Sequence, residues 1–168
     1  HELCDPFTRR EWVSKLSGGF AEPWTFGERV RDWILAHAQH FDVIHDNQTL
    51  ADGILDLQQA GLPVVTTIHH PISRDLNVAL AGASGWRARL LVRRWHSFLT
   101  MQTRVAAQLN HIVTVSSASA ADIATDFGVL PNAIQVIPNG VDTELFRALP
   151  DVTRKSDQLI ATASADAP

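Results

Sequence analysis

The sequence predicts an α/β fold, a parallel sheet with helices on both faces. Two observations carry it. Short, mostly apolar and β-branched runs stand at 42–46, 64–68, 112–115 and 134–137. Between them lie longer segments whose apolar residues recur at helical spacing, and short apolar strands alternating with helices are the pattern of a parallel sheet.

Residues 1–26 are weakly patterned. Trp12, Phe20, Trp24 and Phe26 are scattered among Gly18, Gly19 and Pro23, which predicts a loop or a short helix. From Gly27 to Gln39, Val30, Trp33, Ile34 and His37 fall on one helical face. Asp42 to Asp46 reads as a short buried strand. Thr49 is placed to cap a second helix with Leu50, Ile54 and Leu57 on one side; Gly61 suits its C-terminal cap, and Pro63 blocks continuation. Val64 to Ile68 is the clearest strand and runs into His69-His70-Pro71. After a segment without a clear pattern, a long helix is expected from Trp86 to Leu109. It sets Trp95, Phe98, Leu99, Val105 and Leu109 on one side and Arg89, Arg93 and Arg104 on another. Ile112 to Val115 is the next strand, ending at Ser116-Ser117. Ser119 and Asp122 are placed to open the following helix in the manner of a capping box, and Gly128 to end it. Ile134 to Ile137 forms the last strand. Pro138 then leads into a tight Asn139-Gly140 turn of the kind that uses positive φ, with Asp142 and Thr143 able to cap the next segment.

The 168 residues are 45% hydrophobic, enough for a core. The net charge of −4 argues against nucleic-acid binding, which requires a basic surface. No apolar run approaches a membrane span, and Glu2, Asp5, Arg9 and Arg10 interrupt anything resembling a signal peptide. Cys4 is the single cysteine, so no internal disulfide forms and a reducing cytoplasm is the expected location. A start without Met and a final apolar stretch with nothing to pair with suggest an internal piece of a longer protein.

Chemistry is expected at the carboxyl ends of the strands, where open α/β sheets bind ligands. His69 follows a buried strand and is the first candidate: an imidazole there donates to a hydroxyl or stabilises developing negative charge. His70 comes next. His45, Asp46, Asn47 and Gln48 end the neighbouring run and offer polar groups to a hydroxylated ligand. Ser116 and Ser117 stand before a helix N-terminus, where free N–H groups can meet a phosphate or a sugar, although plain N-capping is the favoured account of them. His45, His69, His70 and Asp46 lack the fixed spacing of a metal motif, and no metal is expected. No Gly-x-Ser-x-Gly elbow is present, which excludes the usual serine hydrolase.

Four segments in order give a more specific indication. "FDVIHDNQ" (41–48), "PVVTTIHH" (63–70), "IVTVSSASAADI" (112–123) and "GVLPNAIQVIPNGVDTELF" (128–146) resemble segments of the family-four glycosyltransferases, enzymes of the GT-B fold. The resemblance implies a Rossmann-like acceptor-side domain over 1–150, an interdomain linker at 151–157, and over 158–168 the first strand of a C-terminal nucleotide-sugar domain. It implies transfer of a sugar from a nucleotide-sugar donor to a small-molecule, glycan or lipid acceptor, with retention at the anomeric carbon and no metal or other cofactor. His69 would border the cleft near donor sugar and acceptor hydroxyl, His70 and the His45–Gln48 group would touch the acceptor, and Asn139-Gly140 would lie near the interdomain cleft. The family's first strand and glycine-rich loop would precede residue 1, for Gly18-Gly19 follows no apolar strand. The chain alone is therefore expected to be inactive. The 86–109 helix is expected to pack on the core with a solvated basic face in a cytoplasmic protein; the alternative is that it rests on an anionic membrane, as in family members that glycosylate lipids, which would make the protein membrane-peripheral as well. A sugar-nucleotide epimerase of the same fold and a non-catalytic α/β binding module remain alternatives.

Overall fold

Four parallel strands form the sheet: β1 (Ile44–Asn47), β2 (Val64–Thr67), β3 (Ile112–Thr114) and β4 (Ile134–Val136), adjacent in the order β1-β2-β3-β4. The computed structural model describes residues 4–150, 153 and 155–159. These fall into two compact units, one ending at Pro138 and the other starting at Asn139. Part of the expected linker at 151–157 and nearly all of the strand expected at 158–168 lie outside the described residues.

The strand register pairs Ile44 with Val64, Thr66 with Ile112, and Ile112 with Ile134. Ile44, Val64, Thr66, Ile112 and Thr114 turn to the buried side. On the opposite side His45 and Asn47 are exposed, and Val65, Thr67 and Val113 are half-buried. Each crossover steps one strand in the same direction. The expected parallel sheet with helices is present. The core joins Leu50, Leu57, Ile68, Val105, Ile112, Ile123 and Phe127.

The N-terminal segment is more ordered than its sequence pattern suggests. It holds α1 (Pro6–Leu16) and the start of α2 (Glu22–Ala36), which begins five residues before the expected position. Asp5 caps α1, accepting from the backbone N–H of Thr8 at 2.8 Å and from its hydroxyl at 2.7 Å, with Pro6 in the first turn, where a missing N–H costs nothing. Trp12, Val13 and Leu16 are exposed, so α1 has little apolar anchorage. It is held by charge. Arg29 of α2 reaches Asp5 and Glu11, each at 2.7 Å; Thr25 donates to Glu11; and Lys15 pairs with Glu22 at 2.7 Å. A helix tethered this way leaves no hydrophobic period to read.

Gly27, expected to begin a helix, lies inside α2, where a side chain would collide with α3 (Asp52–Gln59). A Cβ on Gly27 would sit 2.2 Å from that of Ala51, and one on Gly53 would sit 2.1 Å from the carbonyl oxygen of Gly27. Paired glycines let the two helix backbones touch. Arg31 closes the contact with ion pairs to Glu28 at 2.6 Å and Asp56 at 2.9 Å. Helix α3 starts later than expected, capped by neither Thr49 nor any other side chain, and Leu50 belongs to the loop before it. Its end follows expectation. Gly61 at φ +88° donates to Gln58 O, and Leu62 N–H donates to Leu57 O, the two bonds of a Schellman motif.

The segment after Pro71 forms α4 (Ser73–Gly82). The expected 86–109 helix is divided into α5 (Gly85–Trp95), a 3-10 turn at His96–Phe98, and α6 (Leu99–Ala106). The His96 ring donates from Nδ1 to Val92 O at 2.8 Å where the helix tightens. The division separates the expected apolar stripe: Leu99, Val105 and Leu109 are in the core, while α5 buries no residue. Arg104 pairs with Asp52 at 2.6 Å. Helix α7 (Ser117–Phe127) is capped by Ser116, not by Ser119 and Asp122, and ends at Gly128 with φ +68°.

In the second unit, neither Asn139 nor Gly140 has a positive φ and no tight turn forms there, contrary to expectation. The chain reverses three residues later. Asp142 Oδ1 accepts from Glu144 N–H at 3.0 Å and Leu145 N–H at 3.1 Å, and Phe146 N–H donates to Asp142 O at 2.8 Å. The carboxylate nucleates the turn, as Asp side chains do when they mimic a backbone carbonyl.

Two outcomes test this architecture. Gly53→Ala should destabilise the protein by about 1–3 kcal/mol in urea titration, since the methyl meets backbone. Gly82→Ala, with open space around it, should be neutral or slightly stabilising. The second concerns acid. The Thr8 hydroxyl, its backbone N–H and then Arg29 hold the Asp5 carboxyl well below the usual range, and the Thr25 hydroxyl, followed by Arg29, lowers that of Glu11. Depressed carboxyls contribute stability that is complete above the unfolded-state pKa, roughly 4, and is lost as pH falls through the folded value. The stability gap between wild type and Asp5→Asn should therefore shrink from pH 6 to pH 2; a constant gap would refute the charge tether.

Candidate functional site

At the carboxyl end of β1 the chain enters α3 through an unusual loop. Gln48 and Leu50 both have positive φ, +62° and +51°, a conformation that costs a non-glycine residue on the order of 1–3 kcal/mol. Asp46 holds it. Its Oδ1 accepts from Thr49 N–H and its Oδ2 from Leu50 N–H, each at 3.1 Å. Asp46 is only 5% exposed, so its carboxylate is committed to the loop and is not available to an acceptor as the sequence pattern implied.

Gln48 joins this loop to the end of β2. Its Oε1 accepts from the backbone N–H of His69 at 2.7 Å, and its Nε2 donates to His70 O at 2.8 Å. The side-chain amide thus continues the β1–β2 ladder beyond the last paired residues, Asn47 and Thr67. His69 donates from Nε2 to Asn47 Oδ1 at 2.8 Å, which leaves Nδ1 without a partner among the described residues. His45 Nε2 lies 2.8 Å from Thr67 Oγ1, and His70 Nε2 donates to Asp75 Oδ2 at 3.2 Å. The structure brings His45, Asn47, Gln48, His69 and His70 to one solvent-facing edge of the sheet.

The three histidines take three different partners and do not converge. Among the described residues no group of three or more His, Cys, Asp or Glu side chains is arranged to hold a metal ion. Ser116 and Ser117 follow β3 at the same edge, since Ile68 N–H donates to Val113 O at 2.8 Å and so sets the ends of β2 and β3 side by side. The Ser116 hydroxyl accepts from Ser119 N–H at 3.1 Å, which makes it the helix cap that sequence reasoning also allowed. Asn139 and Gly140 belong to the second unit.

Two features escaped sequence reading. Gln102 of α6, 2% exposed, donates to Thr49 O at 3.1 Å and braces the strained loop, while its Oε1 has no hydrogen-bond partner among the described residues. A polar residue on the buried face of an apolar helix was the available signal. Second, a cavity of about 420 Å³ opens beside Asn47, Gln48 and Thr49, walled by Phe20, Phe26, Ile72 and Phe98. Its aromatic residues come from the weakly patterned N-terminal segment and from the 3-10 turn. The arrangement can hold a small hydroxylated ligand against an apolar wall, with the amide side chains of Asn47 and Gln48 beside it.

A sequence profile described as Glycosyltransferase Family 4 matches residues 5–145. The chain belongs to that family. This family-4 chain is also 48% identical, over 167 residues, to an MMP alpha-(1->4)-mannosyltransferase of Mycolicibacterium hassiacum, an alignment that covers 99% of the chain and 40% of the relative. The chain thus spans about two-fifths of the length of that curated relative. Among the described residues, no helix is long and apolar enough to cross a membrane.

Asp46→Ala should cost about 2–3 kcal/mol, as expected when one buried and one half-buried N–H group lose a charged acceptor. It should also release the Gln48 contacts, seen as faster hydrogen exchange at His69 N–H. Unchanged exchange would show that the loop does not depend on Asp46.

Proposed function

We propose that this chain is the acceptor-side domain of a glycosyltransferase that moves a sugar from a nucleotide-sugar donor to an acceptor hydroxyl, with retention of configuration at the anomeric carbon. The observation that carries the reading is His69 at the carboxyl end of β2, oriented by Asn47 and fixed at its backbone by Gln48. Membership of family 4 makes glycosyl transfer the natural use of such an edge. The name of the Mycolicibacterium relative supports mannose as the sugar and an α-1,4 bond as the product. We assign the complete reaction to a longer protein that carries this chain, in the cytoplasm and without a metal, and expect the chain alone to be inactive.

The residues support the chemistry by positioning. With Nε2 donated to Asn47, a neutral His69 ring has Nδ1 as an acceptor for a substrate hydroxyl. When protonated, the ring donates there instead and stabilises negative charge on the departing side. His45 and His70 flank it and are suited to acceptor hydroxyls. The donor's own departing diphosphate helps to deprotonate the acceptor, so the protein contributes orientation and charge stabilisation more than proton transfer. Holding the reacting groups this way requires little motion of a site already locked by Asp46, Gln48 and Gln102.

Release of nucleotide diphosphate by the full-length protein, screened over nucleotide sugars, tests the reading. His69→Ala should lower kcat by about 100-fold, the usual cost of one stabilising donor. Asn47→Ala should lower it less, because it removes only the orienting partner. Normal turnover by His69→Ala would overturn the site assignment, and no turnover with any nucleotide sugar would overturn the function.

A further inference from the structure

A second cavity, of about 370 Å³, lies between α1, α2 and the α5–α6 junction. Phe20, Trp24 and Phe98 form its apolar walls, and Arg10 and Arg94 its charged ones. The Arg10 guanidinium lies over the Trp24 ring at 3.6 Å from the centroid, and its N–H edges have no partner among the described residues. Arg94 is held by two hydroxyls, donating from Nη1 to Ser97 at 3.1 Å and from Nη2 to Ser17 at 2.9 Å. Gly19 makes room for it, since a Cβ there would lie 2.4 Å from Nη1 of Arg94 and 2.6 Å from the Ser14 hydroxyl.

Neither guanidinium is paired with a carboxylate among the described residues, whereas Arg29, Arg31, Arg74 and Arg104 all are. Among the described residues no acidic side chain lines the cavity. Two unpaired arginines facing an aromatic cavity match a ligand with one anionic end and one flat apolar body. Arginine is the side chain suited to both parts, because it forks onto oxyanions and stacks on rings.

We propose that this cavity binds a small ligand in which a phosphate or carboxylate is carried on an aromatic or similarly flat apolar group, with Arg10 and Arg94 on the oxyanion and Phe20, Trp24 and Phe98 on the body. The site shares Phe20 and Phe98 with the cavity beside Asn47 and Gln48 but does not depend on the transferase reading.

The test is titration of the chain with 1-naphthyl phosphate, followed by the Trp24 indole resonance in ¹H–¹⁵N spectra. Parallel arms use 1-naphthoate, inorganic phosphate and 1-naphthol. Saturable binding of one naphthyl anion, about tenfold or more tighter than both inorganic phosphate and 1-naphthol, supports the site, and the stronger arm says whether phosphate or carboxylate is preferred. Arg10→Gln and Arg94→Gln should each raise Kd about tenfold. Arg87→Gln, on α5 and not in the cavity wall, should leave it unchanged. Arg94 bridges two segments, so its replacement also loosens the fold. Arg10 is exposed and makes no hydrogen bond or ion pair among the described residues, so its variant alone decides. Absence of saturable binding, equal affinity for 1-naphthol, or undiminished affinity in Arg10→Gln would each overturn the proposal.

Discussion

The carboxylate of Asp46 lies inside the protein with no cation beside it among the described residues, and two backbone N–H groups satisfy it. Those bonds give and take at once. The N–H groups of Thr49 and Leu50 would be orphaned in a buried loop, and the carboxylate would be costly there without them. Together they support a left-handed conformation at Gln48 and Leu50 that neither residue would choose. The histidine edge depends on this, because the amide of Gln48 reaches His69 and His70 only from that bent loop.

Strain at such a place needs support from several directions. Leu50 supplies one by being fully buried. Gln102 supplies another from α6, and the Gly27–Gly53 contact a third, because it presses α3 against α2 immediately after the loop. A site built this way is stiff before any ligand arrives, which suits a reaction in which the protein chiefly holds partners in line.

The four strands were legible within two residues at each end, since short runs with β-branched residues between polar or proline-containing stretches carry their own signal. The helix end at Gly61 and the stop at Gly128 were legible for the same reason: a positive φ leaves a glycine in the sequence. Helix α1 was not, because ion pairs and hydroxyl bonds attach it and these have no period. The division of the 86–109 helix was hidden too, since His96 is as compatible with a continuing helix as with a 3-10 turn. At the site, the position of His69 followed from its strand, and its neighbours on β1 were identified as a group. What the sequence could not separate was their work. Asp46 and Gln48 look like ligands on paper, and only the fold shows that one is buried under the loop and the other is tied to the backbone of β2. Phe20 and Phe98 are 78 residues apart and pack edge-to-face at 5.6 Å between centroids, a contact no local pattern encodes.

That last pair has two sides. Phe20 and Phe98 wall both the cavity at the histidine edge and the arginine-lined one behind it. A partition shared by two chambers cannot be displaced for one without reshaping the other. Whatever shifts these rings from either side changes the fit on the opposite side, and thermodynamic linkage makes the effect mutual: the factor by which one occupant alters the affinity of the second is the factor by which the second alters the first.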